Sequence, residues 1–151
     1  MKRLKFLNCN LDLLTTNETI DFIDEKIKKN QFIQQVVINV ANLVNLQKDQ
    51  NLFKSVNESD LINIDGMGII YGARFLNFGV SKSHKVSGVD LFFQLIKISE
   101  KKGYKVFLLG GTEDVIKLTN NNLLSKYPNL KIAGYHHVYF WDQEEKIVEK
   151  I

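Results

Sequence analysis

Among its 151 residues the sequence holds a single cysteine, Cys9. That excludes a disulfide within the chain and any thiol-rich metal site, and it makes Cys9 most simply a buried apolar side chain. No Asp-x-Asp pair occurs, so the carboxylate clamp for a metal–diphosphate complex has no candidate. No G-x-G-x-x-G follows the early apolar runs, which argues against a dinucleotide-dependent oxidoreductase. Lysine and arginine form no dense block interleaved with aromatics, and the formal charge is only +3, so nucleic acid is not an expected partner. No stretch approaches the roughly 20 apolar residues of a membrane span. Lys2, Arg3 and Lys5 look like the start of a secretory signal, but Asn8, Cys9, Asn10 and Asp12 interrupt the apolar segment that would have to follow. These absences predict a cytoplasmic protein.

What is present is ordinary for a globular chain: 44% hydrophobic and 25% charged residues. The length suits one domain over residues 1–151 with a real core. The organising stretch is Leu61-Ile62-Asn63-Ile64-Asp65-Gly66-Met67-Gly68. Its first four residues suit a buried parallel strand, Asp65-Gly66 is turn chemistry, and Ile69, Ala73 and Leu76 then recur at helical spacing. A carboxylate thus stands where a strand ends and a helix begins, the edge of an open α/β sheet where ligands collect. From the residues alone, Asp65 reads first as a cap for the helix that follows.

Around this hub, strands and helices alternate. Residues 5–11 read as extended. Thr15 to Glu18 carry capping chemistry ahead of Ile20, Ile23 and Ile27. Residues 35–40 are rich in β-branched side chains and read as a strand, with Asn39 near its end, followed by helices on Leu43 and Leu46 and over residues 51–56. Residues 77–84 read as a loop, leading to Lys85. Val89 to Ile98 read as an apolar helix with Phe92 and Phe93 in the core, closing at Lys101-Lys102-Gly103. Residues 105–109 form the clearest strand. Gly110-Gly111 and a capping Thr112-Glu113-Asp114 come next, a combination suited to phosphate. After Tyr127-Pro128-Asn129, residues 130–135 read as a strand and Asp142 as the cap of a last helix. His136 and His137 would diverge on a strand, which points to a hydrogen-bonding or substrate role and not a metal site. The class is α/β, a mainly parallel sheet with helices on both faces, Rossmann-like.

Five stretches, taken in order, carry a family likeness: Val-Ile-Asn-Val-Ala-Asn-Leu at 37–43, Ile-Asp-Gly-Met-Gly at 64–68, Val-Ser-Gly-Val-Asp-Leu at 86–91, Phe-Leu-Leu-Gly-Gly at 107–111, and Gly-Tyr-His-His-Val-Tyr-Phe at 134–140. Together they resemble the WecG/TagA/CpsF glycosyltransferases. The resemblance implies an inverting, metal-independent transferase without a cofactor, moving an N-acetylmannosamine-type sugar from a UDP donor. The implied acceptor is a polyprenyl-diphosphate-linked sugar at the inner face of the plasma membrane, and the product feeds wall teichoic acid or surface polysaccharide. It implies Asp65 as general base and Asn39, Gly66, Lys85, Asp90, Gly110, Gly111, His136 and His137 as substrate-binding residues.

The departures from the family pattern are Val37 where many members carry Thr, Lys85 for a common Arg, and Val138 for a usual Gly. The family pattern also continues through a Gly-x-Pro-x-Gln-Glu motif, a further strand and a basic membrane-docking tail. None of these lies in this sequence. The expectation is then a chain with an uncovered strand edge, prone to form homo-oligomers and weakened in its grip on the membrane. A truncated, non-catalytic module that holds a nucleotide-sugar or pairs with another subunit is the alternative to an active transferase.

Overall fold

The computed structural model describes residues 1–139, so the helix expected from Asp142 lies outside the described residues. The chain divides into two compact units, Met1–Phe92 and the residues from Phe93 onward. Each has its own parallel strand pair and its own core.

The first unit opens with an antiparallel hairpin, β1 (Arg3–Phe6) and β2 (Cys9–Asp12). Its turn residues, Leu7 and Asn8, both have positive φ, 47° and 62°, the handedness that fits the twist of a two-residue hairpin. Helix α1 (Thr16–Lys28) starts in a capping box: the Thr15 side chain accepts the Glu18 N–H, and Glu18 accepts the Thr15 N–H. Strands β3 (Gln35–Ile38) and β4 (Leu61–Ile64) then pair in parallel, with Gln35 opposite Leu61 and Ile38 opposite Ile64. The parallel pairing needs a long crossover, and α2 (Val40–Leu46) and α3 (Gln50–Asn57) supply it. The strand expected over 35–40 stops two residues early because Asn39 leaves the ladder to cap α2.

All four residues of β4 are fully buried. Leu61, Ile62 and Ile64 explain themselves by apolar burial. Asn63 is tolerated because its amide is satisfied at both ends: it donates to Thr19 Oγ1 at 2.9 Å and accepts from Gln35 Nε2 at 2.9 Å. The hairpin is tied to the same strand by a second buried polar group. The Asp12 carboxylate takes Arg3 Nε at 2.7 Å, Arg3 Nη2 at 2.8 Å and the Ile62 N–H at 2.8 Å. Cys9 is fully buried in this core, and burial pushes its thiol up to about 11. Helix α4 (Met67–Phe75), a short 3₁₀ turn (Lys82–His84) and α5 (Gly88–Lys102) follow β4.

The second unit pairs β5 (Lys105–Leu109) in parallel with β6 (Lys131–His136) through the crossover helix α6 (Glu113–Lys126). Ile96, Leu108, Ile116, Leu123, Tyr127 and Leu130 form its core. Gly134 is there for space: a Cβ would stand 2.8 Å from the Phe107 ring. Phe92 and Phe93 are not core, as the sequence suggested, but 38% and 39% exposed. Neighbouring positions on a helix stand about 100° apart, and burial on α5 falls on Leu91 and Ile96 instead. Lys126 Nζ lies 5.2 Å from the centre of the Phe93 ring, a cation–π contact. The architecture is α/β with parallel strand pairs joined through helices, as the alternation predicted, with an antiparallel hairpin added.

Candidate functional site

The candidate residues fall into two clusters, one at the carboxyl ends of the strands in each unit. In the first, Asp65 continues the β3–β4 ladder, its N–H donating to Ile38 O at 2.9 Å. The next residue, Gly66, has φ +82°, a conformation that L side chains rarely adopt. Gly66 is also the residue that caps α4, and it does so with no side-chain hydrogen bond. The capping role that Asp65 first suggested is therefore not what the structure shows. The turn at Gly66 frees the carboxylate from α4, and its Oδ2 instead accepts the N–H of Gly88, 23 residues on, at 3.4 Å. Gly88 is the first residue of α5, so the carboxylate meets the positive end of a 15-residue helix.

The neighbours of Asp65 follow from the strand ends. Asn39, at the end of β3, accepts the Asn42 N–H at 3.0 Å and caps α2, which leaves its amide NH₂ as a donor. Lys85 lies opposite Ile64 in a parallel bridge, and the Val86 N–H donates to Ile64 O at 2.7 Å. Its side chain is exposed. Asp90 sits exposed in the first turn of α5, its N–H on Ser87 Oγ at 3.4 Å. A Cβ built on Gly88 would lie 3.9 Å from Asp65 Oδ2 and 3.7 Å from Val37 Cγ2, so Val37 and the carboxylate border the same glycine. Gly68 brings α4 against α2, since a Cβ there would stand 2.5 Å from Val40 Cγ2. Asp90 stands out in the sequence by its motif, whereas the role of Gly88 rests on a contact that no local pattern reveals.

In the second cluster, Gly110 and Gly111 form the turn between β5 and α6. The Gly110 N–H donates to His136 O at 3.1 Å, and the Val138 N–H donates to Gly111 O at 3.2 Å, which fastens this turn to the end of β6. Gly111 has φ +64°, and a Cβ on it would meet Val115 Cγ1 at 2.9 Å. Thr112 caps α6 by accepting the Val115 N–H at 3.4 Å. His136 and His137 do not diverge as a continued strand would require. Strand β6 ends at His136, the backbone bends, and the two rings approach to 4.5 Å between centroids at 37°. His136 Nδ1–H donates to the His137 carbonyl at 2.8 Å, and the Tyr139 N–H donates to His137 Nδ1 at 3.1 Å. Beside them Glu113 and Lys117 form an exposed ion pair one helical turn apart, 2.6 Å long. That bond holds the Glu113 carboxyl below its ordinary range, with the two histidines adding to the effect, and raises Lys117. The described residues contain no group of three or more His, Cys, Asp and Glu side chains able to hold a metal ion.

The sequence profile of the Glycosyl transferase WecG/TagA/CpsF family matches residues 4–151. The chain belongs to this family. It is 33% identical over 140 residues to an N-acetylglucosaminyldiphosphoundecaprenol N-acetyl-beta-D-mannosaminyltransferase of Bacillus subtilis (strain 168), an alignment covering 89% of this chain and 53% of the relative. A protein of the same name from Staphylococcus aureus (strain NCTC 8325 / PS 47) is 30% identical over 141 residues, covering 89% of this chain and 54% of that one. The chain thus spans about half the length of the curated relatives it matches. Within this WecG/TagA/CpsF chain, no helix among the described residues is long and apolar enough to cross a membrane.

Proposed function

We propose that this chain carries the base-bearing and donor-binding parts of an inverting transferase that moves an N-acetylmannosamine-type sugar from UDP to a polyprenyl-diphosphate-linked N-acetylglucosamine. The observation that carries this reading is the Asp65 carboxylate, released from capping by Gly66 and held at a strand end by the first N–H of α5. In a single displacement the acceptor hydroxyl gives its proton to Asp65 as its oxygen forms the bond to the anomeric carbon. The bond from that carbon to the diphosphate oxygen breaks, and UDP leaves with the electron pair. Charge growing on the leaving group calls for donors already in place. We assign this to Lys85, with Asn39 and Asp90 orienting sugar hydroxyls. Lys85 supplies charge without the bidentate fork of an arginine.

On this reading the work is done at the inner face of the plasma membrane, with the protein on the cytoplasmic side and product entering teichoic acid or another surface polysaccharide. The relatives' names support both the lipid-linked acceptor and the β configuration of the product. Proton NMR of the product formed from an α-linked UDP-N-acetylmannosamine and a soluble lipid-diphosphate analogue tests the reading. A β-linked product is expected, and an α-linked one would replace the single displacement with a two-step route.

A further inference from the structure

Helices α2 and α4 meet at their starts, where Gly68 faces Val40 Cγ2 with no room for a Cβ between them. From that point each helix turns an apolar side to solvent. At about 100° per residue, Gly68, Tyr71 and Phe75 share one side of α4, opposite the buried Ile69, Ile70 and Ala73. Tyr71 is 57% exposed and Phe75 86%, with Leu76 exposed at the helix end. On α2 burial falls on Leu43 and Leu46, while Val40 and Val44, one turn apart, are exposed. Single exposed apolar side chains are ordinary, but a group of them on two touching helices marks an interaction surface.

Charge says what covers this face. The sequence has no charged residue between Lys29 and Lys48, so α2 carries none. It has no acidic residue between Asp65 and Asp90, and α4 carries only Arg74. The same acid-free stretch brings Lys85 and, in the 3₁₀ turn that packs against α4, Lys82. Arg74 and Lys82 are both exposed. A second copy seated here across a twofold axis would bring the same segments together, with cations on both and no carboxylate on either to receive them. A lipid surface instead takes the apolar side chains into its acyl boundary and sets its phosphates against the cations.

We propose that the outer face of α2 and α4 docks this chain on an anionic lipid bilayer. Tyr71, Phe75 and Leu76 enter the headgroup boundary, and Arg74 and Lys82 meet lipid phosphates. The choice of lipid over protein rests also on the proposed lipid-linked acceptor. The face belongs to the first unit and is separate from the basic tail that the family resemblance implies. Both helices begin at the candidate site, α2 capped by Asn39 and α4 by Gly66, so docking through them keeps Asp65 near the headgroups that a lipid-linked sugar adjoins.

Co-sedimentation of the 151-residue chain with phosphatidylglycerol/phosphatidylethanolamine vesicles and with phosphatidylcholine vesicles tests this, comparing wild type with Y71S/F75S and R74Q/K82Q. All four positions are exposed, and thermal melts check that the variants fold. Wild type should bind the anionic vesicles well and the neutral ones weakly, and binding should fall with added salt. Each double variant should weaken binding to the anionic vesicles about tenfold or more. Wild-type protein that stays in the supernatant, or binding unchanged in either variant, would overturn the assignment. A lipid-free dimer in sedimentation velocity that Y71S/F75S dissociates would give the face to a second copy and overturn it as well. None of these results touches the transfer chemistry, whose product test uses a soluble acceptor. Lipid carrying a nitroxide high in its acyl chain needs no variant. It should broaden the ring-proton signals of Tyr71 and Phe75 in nanodisc-bound protein, and unaffected signals would count equally against the proposal.

Discussion

Removing the Asp12 carboxylate tests how the first unit is tied together. Asp12 is fully buried, and Arg3, its partner, keeps 35% of its side chain exposed. In Asp12→Ala the guanidinium regains water, so the lost ion pair itself costs little, about 0–1 kcal/mol. The Ile62 N–H regains nothing, because Ile62 is fully buried, and an orphaned buried donor costs about 1–3 kcal/mol. The sum is about 1–4 kcal/mol, a fall in Tm of roughly 2–16 °C at this chain length. Arg3→Ala should cost at least as much, about 3–5 kcal/mol, because it strands a buried carboxylate. The double variant should therefore lose less than the sum of the two. Circular-dichroism melts of the three variants settle the matter. Single-variant losses below 1 kcal/mol that simply add would show that the Asp12 cluster does not anchor the hairpin to β4.

Cys9 should resist Ellman's reagent in the native protein at pH 8 and react fully on unfolding. Its thiol is raised by burial to about 11, so this contribution to stability is complete below the unfolded value near 8.5 and is lost as pH climbs towards 11. Rapid native labelling at pH 8 would contradict the burial. Gly111→Ala should destabilise the second unit by about 1–3 kcal/mol, through a left-handed residue bearing a Cβ and contact with Val115. Hydrogen exchange at the β5 and β6 amides reports it, and unchanged protection would refute it. Saturating EDTA should leave UDP affinity and sugar transfer unchanged, and a reproducible Mg²⁺ or Mn²⁺ requirement would overturn the metal-free displacement.

Much of the fold was legible because local signals agreed with the tertiary outcome. Residues 61–64 read as a buried strand, Asp65-Gly66 as a turn, and 105–109 as a strand, and the structure places them so. The capping box at Thr15 and Glu18 was equally plain. The β1–β2 turn was not, because Leu7 carries no turn preference yet adopts φ 47°. For the candidate site, strand-end placement was readable but partnership was not. Proximity in sequence assigned Asp65 to α4, whereas its partner Gly88 arrives from 23 residues away. Alternation along a strand separated His136 from His137, but the strand stops between them. Glu113 and Lys117 are visible as a helical pair, while a cleft beside them exists only because β6 returns next to α6.

The central claim is that Asp65 removes the proton from the acceptor hydroxyl. It is tested most directly by initial rates of sugar transfer from UDP-N-acetylmannosamine for wild type and Asp65→Asn, paired with UDP titration. Both measurements are made on the chain alone and on the chain fused to the C-terminal portion of the B. subtilis relative. Asparagine keeps the size of the side chain and an acceptor for the Gly88 N–H but cannot take a proton. Transfer should fall about 10²–10⁴-fold with UDP affinity held within a few-fold. Transfer at the wild-type rate in Asp65→Asn would remove the carboxylate from the chemistry and contradict the account.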